Sequence, residues 1–505
     1  MKKNITIVLA FFLLLGTSCD SYLDVNHDPN VLETIPDAKV LLPGAEVSLG
    51  NNLMGWDFGF GGGFWVQYWT QSYTASQFKI LAEYNETQFD FAYSSLTAGV
   101  LADLNKIKQL TVDSENKGLY FVSEALSVYT WQIVTDVWGD VPYSEALKGS
   151  DGIDSPKFDE QKVIYTDLLK RVDALLQIDL SNSTVEKKYD FIFAGDLNLW
   201  KQFANSLKLK LMLRLSESGE YNNATTLAFV KSASFLSQSA KISGSIWSDG
   251  QEGKRHPMRE FQQAGANYLS SNVIASKSFL DYLKVNNDPR LNTLFTPAET
   301  GHQGAFFGDF DSKADSDGDG VTDDKEKYST ALFEADMDLL IISDWEIDFY
   351  IAEVYARASE NINARRFYES GVKASLAQHG IDADQIVTAG YAQWKDTTVE
   401  ATIEQIAMQK WVANANYQHI ESFLERNRLK YPSVNEIDVK LNRTNANANF
   451  PIGDLTISVN GRAKLNGNLP ASPLYPDDIR TRNVNSPDQK TNIGVKVWWN
   501  KKVGK

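Results

Sequence analysis

From Phe64 onward, apolar residues of this chain recur every three or four positions in one long segment after another, a periodicity that commits most of it to helices. The spacing predicts helices over Tyr93 to Leu110, Leu119 to Val137, Val163 to Ile178, Leu197 to Leu215, Asn272 to Leu283, Ile347 to Ala358, Arg365 to Gln378 and Glu400 to Leu424. Strand signals are few, and Ile457-Ser458-Val459 is the best of them. Stretches without helical period fall at about 139–157, 236–270, 296–344 and 431–496, a length at which loops usually carry function. The segment from Asp20 to about Gly63 is rich in Asn, Asp, Pro and Gly, so it is expected to be extended chain and loops wrapped around the outside of the core.

A register test refines the helical reading. With Trp345 at position one of a helix–turn–helix repeat of about 34 residues, Ala352, Tyr355, Ala364, Tyr368 and Gly371 fall at the small and aromatic positions of a tetratricopeptide unit. Small residues let two helices approach, and the aromatics fill the space between them. The expected fold class is therefore mostly α, a tetratricopeptide-like scaffold of helical pairs whose long loops form a binding face.

Composition removes several function classes. With 65 acidic against 49 basic residues the formal charge is −16, which argues against a nucleic-acid partner. A single Cys permits neither an intrachain disulfide nor a Cys-based metal site. Carboxylates are too plentiful to single out a general acid and base, and His27, His256, His302, His379 and His419 are scattered over different segments. No His-Glu-x-x-His or Gly-x-Ser-x-Gly occurs, and Gly61-Gly62-Gly63 lies among aromatics without the Lys-Ser/Thr of a phosphate-cradling loop. An enzyme is not expected.

The single Cys is informative by position. Lys2 and Lys3 precede an apolar stretch from Ile5 to Leu15, and Gly16-Thr17-Ser18 leads into Cys19. This resembles a bacterial lipoprotein signal, which implies cleavage of residues 1–18, acylation of Cys19 and attachment of a single domain, residues 19–505, to a membrane through several acyl chains. Leu15, rather than a residue one position later, departs from the commonest spacing of such signals. No other apolar run approaches the roughly 20 residues of a membrane-spanning helix.

The sharpest local motif is Asp315-Ser316-Asp317-Gly318-Asp319-Gly320-Val321-Thr322-Asp323-Asp324-Lys325-Glu326. Its spacing fits a calcium loop: Asp315, Asp317 and Asp319 supply alternating carboxylates, Val321 a carbonyl, Asp323 a ligand through water, and Glu326 a bidentate carboxylate, with Gly320 at the sharp turn. The expected cofactor is a structural Ca²⁺ that stiffens the 296–344 insertion.

Trp138-Gly139-Asp140-Val141-Pro142-Tyr143, the run from Gly195-Asp196-Leu197 to Lys210, Asn287-Asp288-Pro289-Arg290-Leu291, Ile403 through Trp411, Leu474-Tyr475-Pro476 and Val497-Trp498-Trp499 occur in the order seen in one family. On these residues, and on Cys19-Asp20-Ser21-Tyr22-Leu23-Asp24, the chain resembles the SusD/RagB family of surface nutrient-binding lipoproteins over almost its whole length. One departure is His419-Ile420-Glu421-Ser422-Phe423, where many relatives carry a Gly-Glu-x-Trp-like run. The resemblance implies a non-enzymatic lid on a SusC-like TonB-dependent outer-membrane transporter. Such a lid captures oligosaccharide or, in some branches, peptide at the cell surface.

A glycan site needs flat aromatic faces with amides or charges beside them. Two stretches offer both: Trp56 through Tyr73, and the segment containing Trp247, His256, Arg259 and Tyr268, which the resemblance places over the ligand cleft. The expected ligand contacts are Trp65, Trp69, Tyr73, Trp247 and Tyr268, with Gln71, Arg259 and Asn267 as polar partners, Trp65 and Trp69 sharing a helix face. Trp131, Trp138, Trp200, Trp411 and Trp498 are assigned to packing. The competing reading from another class is a structural or adhesive surface lipoprotein that binds a protein partner.

Overall fold

The computed structural model describes residues 37–72, 76–263, 268–310, 327–382 and 384–504. The chain divides into Met1–Ala38 and Lys39–Lys505, and the fold set out below belongs to the second unit. The signal segment, Cys19, Tyr73, Asn267 and the whole loop 315–326 lie outside the described residues.

Helices dominate: α1 (Leu42–Leu53), α2 (Gly61–Trp65), α3 (Leu101–Thr111), α4 (Gly118–Trp138), α5 (Gln161–Leu176), α6 (Leu197–Arg214), α7 (Asn223–Ser232), α8 (Lys277–Val285), α9 (Asp344–Arg357), α10 (Asn361–Gln378), α11 (Val399–Ala413) and α12 (His419–Leu429). Strands occur as short two-stranded pairs such as Trp69–Gln71 with Val273–Ala275. Helix α4 packs against α3, α5 and α6 and is buried along nearly its whole length. The α9–α10 hairpin has the register read from sequence. Ser343 caps α9 by accepting the Glu346 N–H at 3.1 Å. Ala352, Tyr355, Ala364 and Tyr368 are buried, and a Cβ on Gly371 would lie 3.0 Å from the Phe349 ring, so glycine sets the closeness of the two helices.

Four expectations need correction. The segment before Gly63 is not merely extended: Leu42, Ala45, Leu49 and Leu53 form the buried face of α1, a periodicity diluted in sequence by Gly44, Gly50, Asn51 and Asn52. The helix expected from Asn272 begins at Lys277, because Val273–Ala275 pairs as a strand. The helix expected over Glu400 to Leu424 breaks at Asn414–Gln418. There Asn416 adopts a positive φ of 64°, its N–H donates to His419 Nε2 (2.9 Å), and its side-chain amide donates to the carbonyls of Leu294 and Leu332. The strand lies at Leu455–Thr456, parallel to Val434–Asn435, while Ser458 is tied down by side-chain hydrogen bonds to Ala82 and Gly461.

The core is unusually polar where α12 threads it. Every residue of α12 is buried, including Glu421, Glu425, Arg426 and Arg428. Lys210 pairs with Glu346 (2.5 Å) and Glu421 (2.6 Å), and Arg214 with Asp136, Glu421 and Glu425. Lys410 pairs with Glu425 (2.7 Å), and Arg428 with Glu353 (2.6 Å) and Glu425 (2.5 Å). Charges taken out of water persist only when each meets an opposite charge and further hydrogen bonds, and this network meets both conditions. It locks α4, α6, α9, α11 and α12 into one arrangement.

Candidate functional site

The site is built where the chain leaves α1. After Gly55, a π-helical turn from Trp56 to Phe60 leads into α2. Gly62 allows α2 to lie directly on α12, since a Cβ there would sit 2.5 Å from the His419 backbone. Gly61 and Gly63 are close to the Phe89 and Trp69 rings in the same way, so the whole glycine run is set by close approach. This packing leaves Trp56 half-buried at the edge of the core, with Phe60, Phe78, Phe261 and Tyr268 around it at ring-centroid distances of 5.3 to 5.5 Å. Phe60 and Phe78 stack beneath at 4.3 Å.

Trp56 lines a pocket of about 280 Å³ whose polar groups include Asp57, Gln77, Glu86, Gln88 and Asp90. Asp90 also lines a second, larger pocket of about 610 Å³. Phe91 (75% exposed), Tyr93 and Trp131 form aromatic walls there, Pro142, Pro156 and Pro476 add apolar surface, and Asp154, Asp478, Arg482 and Asn483 supply polar groups. Two adjoining, aromatic-lined hollows joined at one carboxylate suit a ligand longer than a single ring.

Electrostatics at the site are distinctive. Burial, aided by the Asp90 charge, pushes the Asp57 carboxyl up to about 6, although it accepts the Ala92 N–H at 2.8 Å. His256, packed against Trp247 and Phe333, is buried and held neutral, its value lowered to about 3 by desolvation, with Nδ1 accepting the Met258 N–H. His419 is likewise neutral; Nδ1–H donates to the Gly59 carbonyl at 2.7 Å, which anchors the turn carrying Trp56.

The expected contacts divide sharply. Trp65 and Trp69 are 2% and 0% exposed and offer no face to a ligand: Trp65 packs on Phe89 and Phe423, Trp69 on Phe333 and His419. They share no helix face either, since α2 ends at Trp65 and Trp69 lies in a strand. Gln71 is buried and its side-chain oxygen accepts the Phe78 N–H, which fixes the pocket floor rather than a ligand. Arg259 is held by both oxygens of Asp249 (2.9 and 3.0 Å) and by the Phe333 carbonyl, and Trp247 spends its indole N–H on the Met337 carbonyl. Of the expected aromatics, Tyr268 is the one that packs against Trp56, itself a lining ring of the pocket. Trp56 stood in the same aromatic stretch as Trp65 and Trp69, but sequence alone does not say which tryptophan the core absorbs. Trp131, expected to serve packing alone, also forms a wall of the larger hollow. Among the described residues no group of three or more His, Cys, Asp or Glu is placed to hold a metal, and no helix is long and apolar enough to cross a membrane.

A helical-pair scaffold with aromatic-lined hollows between its loops has the geometry of a ligand-binding site. Residues 37–451 match the SusD-like family described as starch-binding and associating with the outer membrane, and the chain belongs to that family. Its members are binding proteins rather than enzymes, and they are surface proteins associated with the outer membrane. Among solved structures, a SusD homologue from Bacteroides uniformis is 20% identical, with a TM-score of 0.73 over 92% of this chain and 99% of that one. A SusD homologue from Bacteroides thetaiotaomicron is 19% identical (TM-score 0.68, 92% and 100% covered). A chitin-binding SusD homologue from Flavobacterium johnsoniae is 18% identical (TM-score 0.70, 92% and 99% covered). At these identities the likeness establishes the fold. No curated protein matches the chain.

Proposed function

We propose that this chain captures an oligosaccharide at the cell surface and passes it to a SusC-like TonB-dependent outer-membrane transporter, for which it acts as the lid, while an acylated Cys19 tethers it to the membrane. The observation that carries the reading is Trp56, flanked by Tyr268 and Phe261 above a pocket that meets the larger Phe91–Tyr93–Trp131 hollow at Asp90. Sugar C–H faces pack on such rings, and the carboxylates and amides of the rim accept and donate to hydroxyls. The chitin-binding relative supports a glycan. A second reading is capture of a basic peptide, as in RagB-like lids, favoured by the three carboxylates of Asp90, Asp154 and Asp478 around the larger hollow.

The test is calorimetric titration of the chain from Asp20 onward with oligosaccharides of the starch and chitin classes and with a tryptic peptide pool. Trp56→Ala is expected to weaken oligosaccharide binding by about 1–3 kcal/mol, the value of one stacked aromatic face. Heat with peptides alone moves the protein to the peptide-binding branch; silence from both favours a protein partner. Ca²⁺ on Asp315, Asp317, Asp319, Val321, Asp323 and Glu326 belongs to the same proposal, supported by the loop's sequence pattern. Chelation is expected to lower the melting temperature, and identical melting in EDTA and in millimolar Ca²⁺ rejects the metal.

A further inference from the structure

Most buried cations of this protein follow one rule, and Lys430 departs from it. Lys210, Arg214, Lys410, Arg428 and Arg290 each have a buried carboxylate partner within 3.0 Å. Lys430 is 7% exposed, yet its ammonium donates to the neutral side-chain oxygen of Asn500 at 2.7 Å. It sits at the end of α12 in a left-handed conformation, φ 63°, which turns it off the helix axis. Beside it opens a pocket of about 280 Å³, which Arg426, Lys430 and Lys496 line together with Asn427, Asn466 and Asn492, and no Asp or Glu is among its described lining residues.

The charges that bear on Lys430 among the described residues are Arg426 on its own helix and Lys496 and Lys502 on the C-terminal segment, all positive. Lys502 is answered elsewhere, by Glu400 at 2.6 Å. The Lys496 ammonium reaches a carbonyl, that of Lys502, at 3.4 Å. The C-terminal end of α12 contributes only about half a negative charge. Burial and these neighbours bring the Lys430 ammonium down to about 6, and desolvation brings Arg426 down to about 10. In a chain of net charge −16, a hollow whose described lining brings Lys430 and Lys496 together with Arg426 and several amides, and includes no Asp or Glu, favours negative charge.

We propose that this pocket, lined by Arg426, Lys430, Lys496 and their neighbouring asparagines, is a binding site for a small oxyanion: a sulfate, phosphate or carboxylate group. Binding supplies the negative charge Lys430 lacks, and the bound anion returns a proton to its ammonium. The pocket shares no lining residue with the Trp56 and Trp131 hollows, so the proposal stands apart from the oligosaccharide reading.

The experiment is isothermal titration of the full chain with sodium sulfate and, separately, sodium acetate, at constant ionic strength. Sulfate stays dianionic across neutral pH, so any pH dependence belongs to the protein. Saturable binding of sulfate, of acetate or of both is expected below neutral pH, and the stronger of the two distinguishes a tetrahedral oxyanion from a carboxylate. Lys430→Met is expected to abolish the signal, Lys496→Ala to weaken it, and raising the pH to about 8.5 to weaken sulfate binding roughly threefold or more as Lys430 loses its proton. A cooperative thermal melt establishes that Lys430→Met is folded; if it is not, Lys496→Ala carries the test. Absence of saturable binding with both anions, or binding unchanged in a folded Lys430→Met or in Lys496→Ala, overturns the proposal.

Discussion

Replacing Asp57 by Asn tests whether the Trp56 pocket keeps a carboxyl that the fold would sooner lose. The side chain lies in the floor of the Trp56 pocket and accepts the Ala92 N–H at 2.8 Å, a bond that an Asn oxygen can also accept. Its pKa rises from 3.8 to about 6, chiefly through burial. The raised value means that the folded state holds the proton more tightly than the unfolded state. Stability is therefore undiminished below 3.8 and falls as pH rises from there to about 6. At about 1.4 kcal/mol per pH unit the loss is roughly 3 kcal/mol, reduced to about 2 by partial solvent access. Urea unfolding is the assay, with midpoints compared at unchanged slope. Asp57→Asn should match the wild type near pH 4 and exceed it by about 2 kcal/mol near pH 8. Equal midpoints at both pH values, or a less stable Asn variant at the higher one, would refute the reasoning. A destabilising carboxyl kept beside Trp56 is what a stability–function trade-off leaves behind, so the same variant should bind oligosaccharide more weakly.

Two further outcomes follow from the core. Glu353→Gln leaves Arg428 and Arg357 short of a carboxylate they hold at 2.6–2.8 Å, and should cost about 3–5 kcal/mol at neutral pH by chemical denaturation. Despite burial, the Arg428 and Arg357 guanidiniums hold the Glu353 carboxyl well below its ordinary range, so the wild-type advantage is complete above 4.5 and should shrink as pH falls through the window below it. Gly371→Val drives a branched side chain into the Phe349 ring, which lies only 3.0 Å from where the new Cβ would stand, and should lower stability by about 1–3 kcal/mol; a melting temperature equal to wild type would remove the close-approach argument.

Helical order was legible for α3 to α6 and α8 to α11 because those segments place apolar residues on one face at a 3.6-residue period, and the α9–α10 register followed from small and aromatic residues alone; α7 (Asn223–Ser232), rich in Asn, Thr and Ser, was not read as a helix. The reading failed where polar side chains replaced periodicity as the organising force. Asn416 and His419 break a helix that apolar spacing would continue, and α12 is buried through ion pairs rather than through an apolar stripe. The tryptophans show the same limit: Trp56, Trp65 and Trp69 stand close together in one stretch, and all three look equally suited to stacking.

By itself the amino-acid sequence determined the fold class and the family, and it singled out the aromatic stretch that holds Trp56, because periodicity and local motifs are properties of neighbouring residues. Tertiary structure alone decided which rings remain available. Gly62 lets α2 rest on α12, that contact draws Trp65 and Trp69 into the core, and Trp56 is left at the rim against Tyr268, more than two hundred residues away in the chain. Burial of a side chain is set by what distant segments pack against it, and no local pattern encodes that.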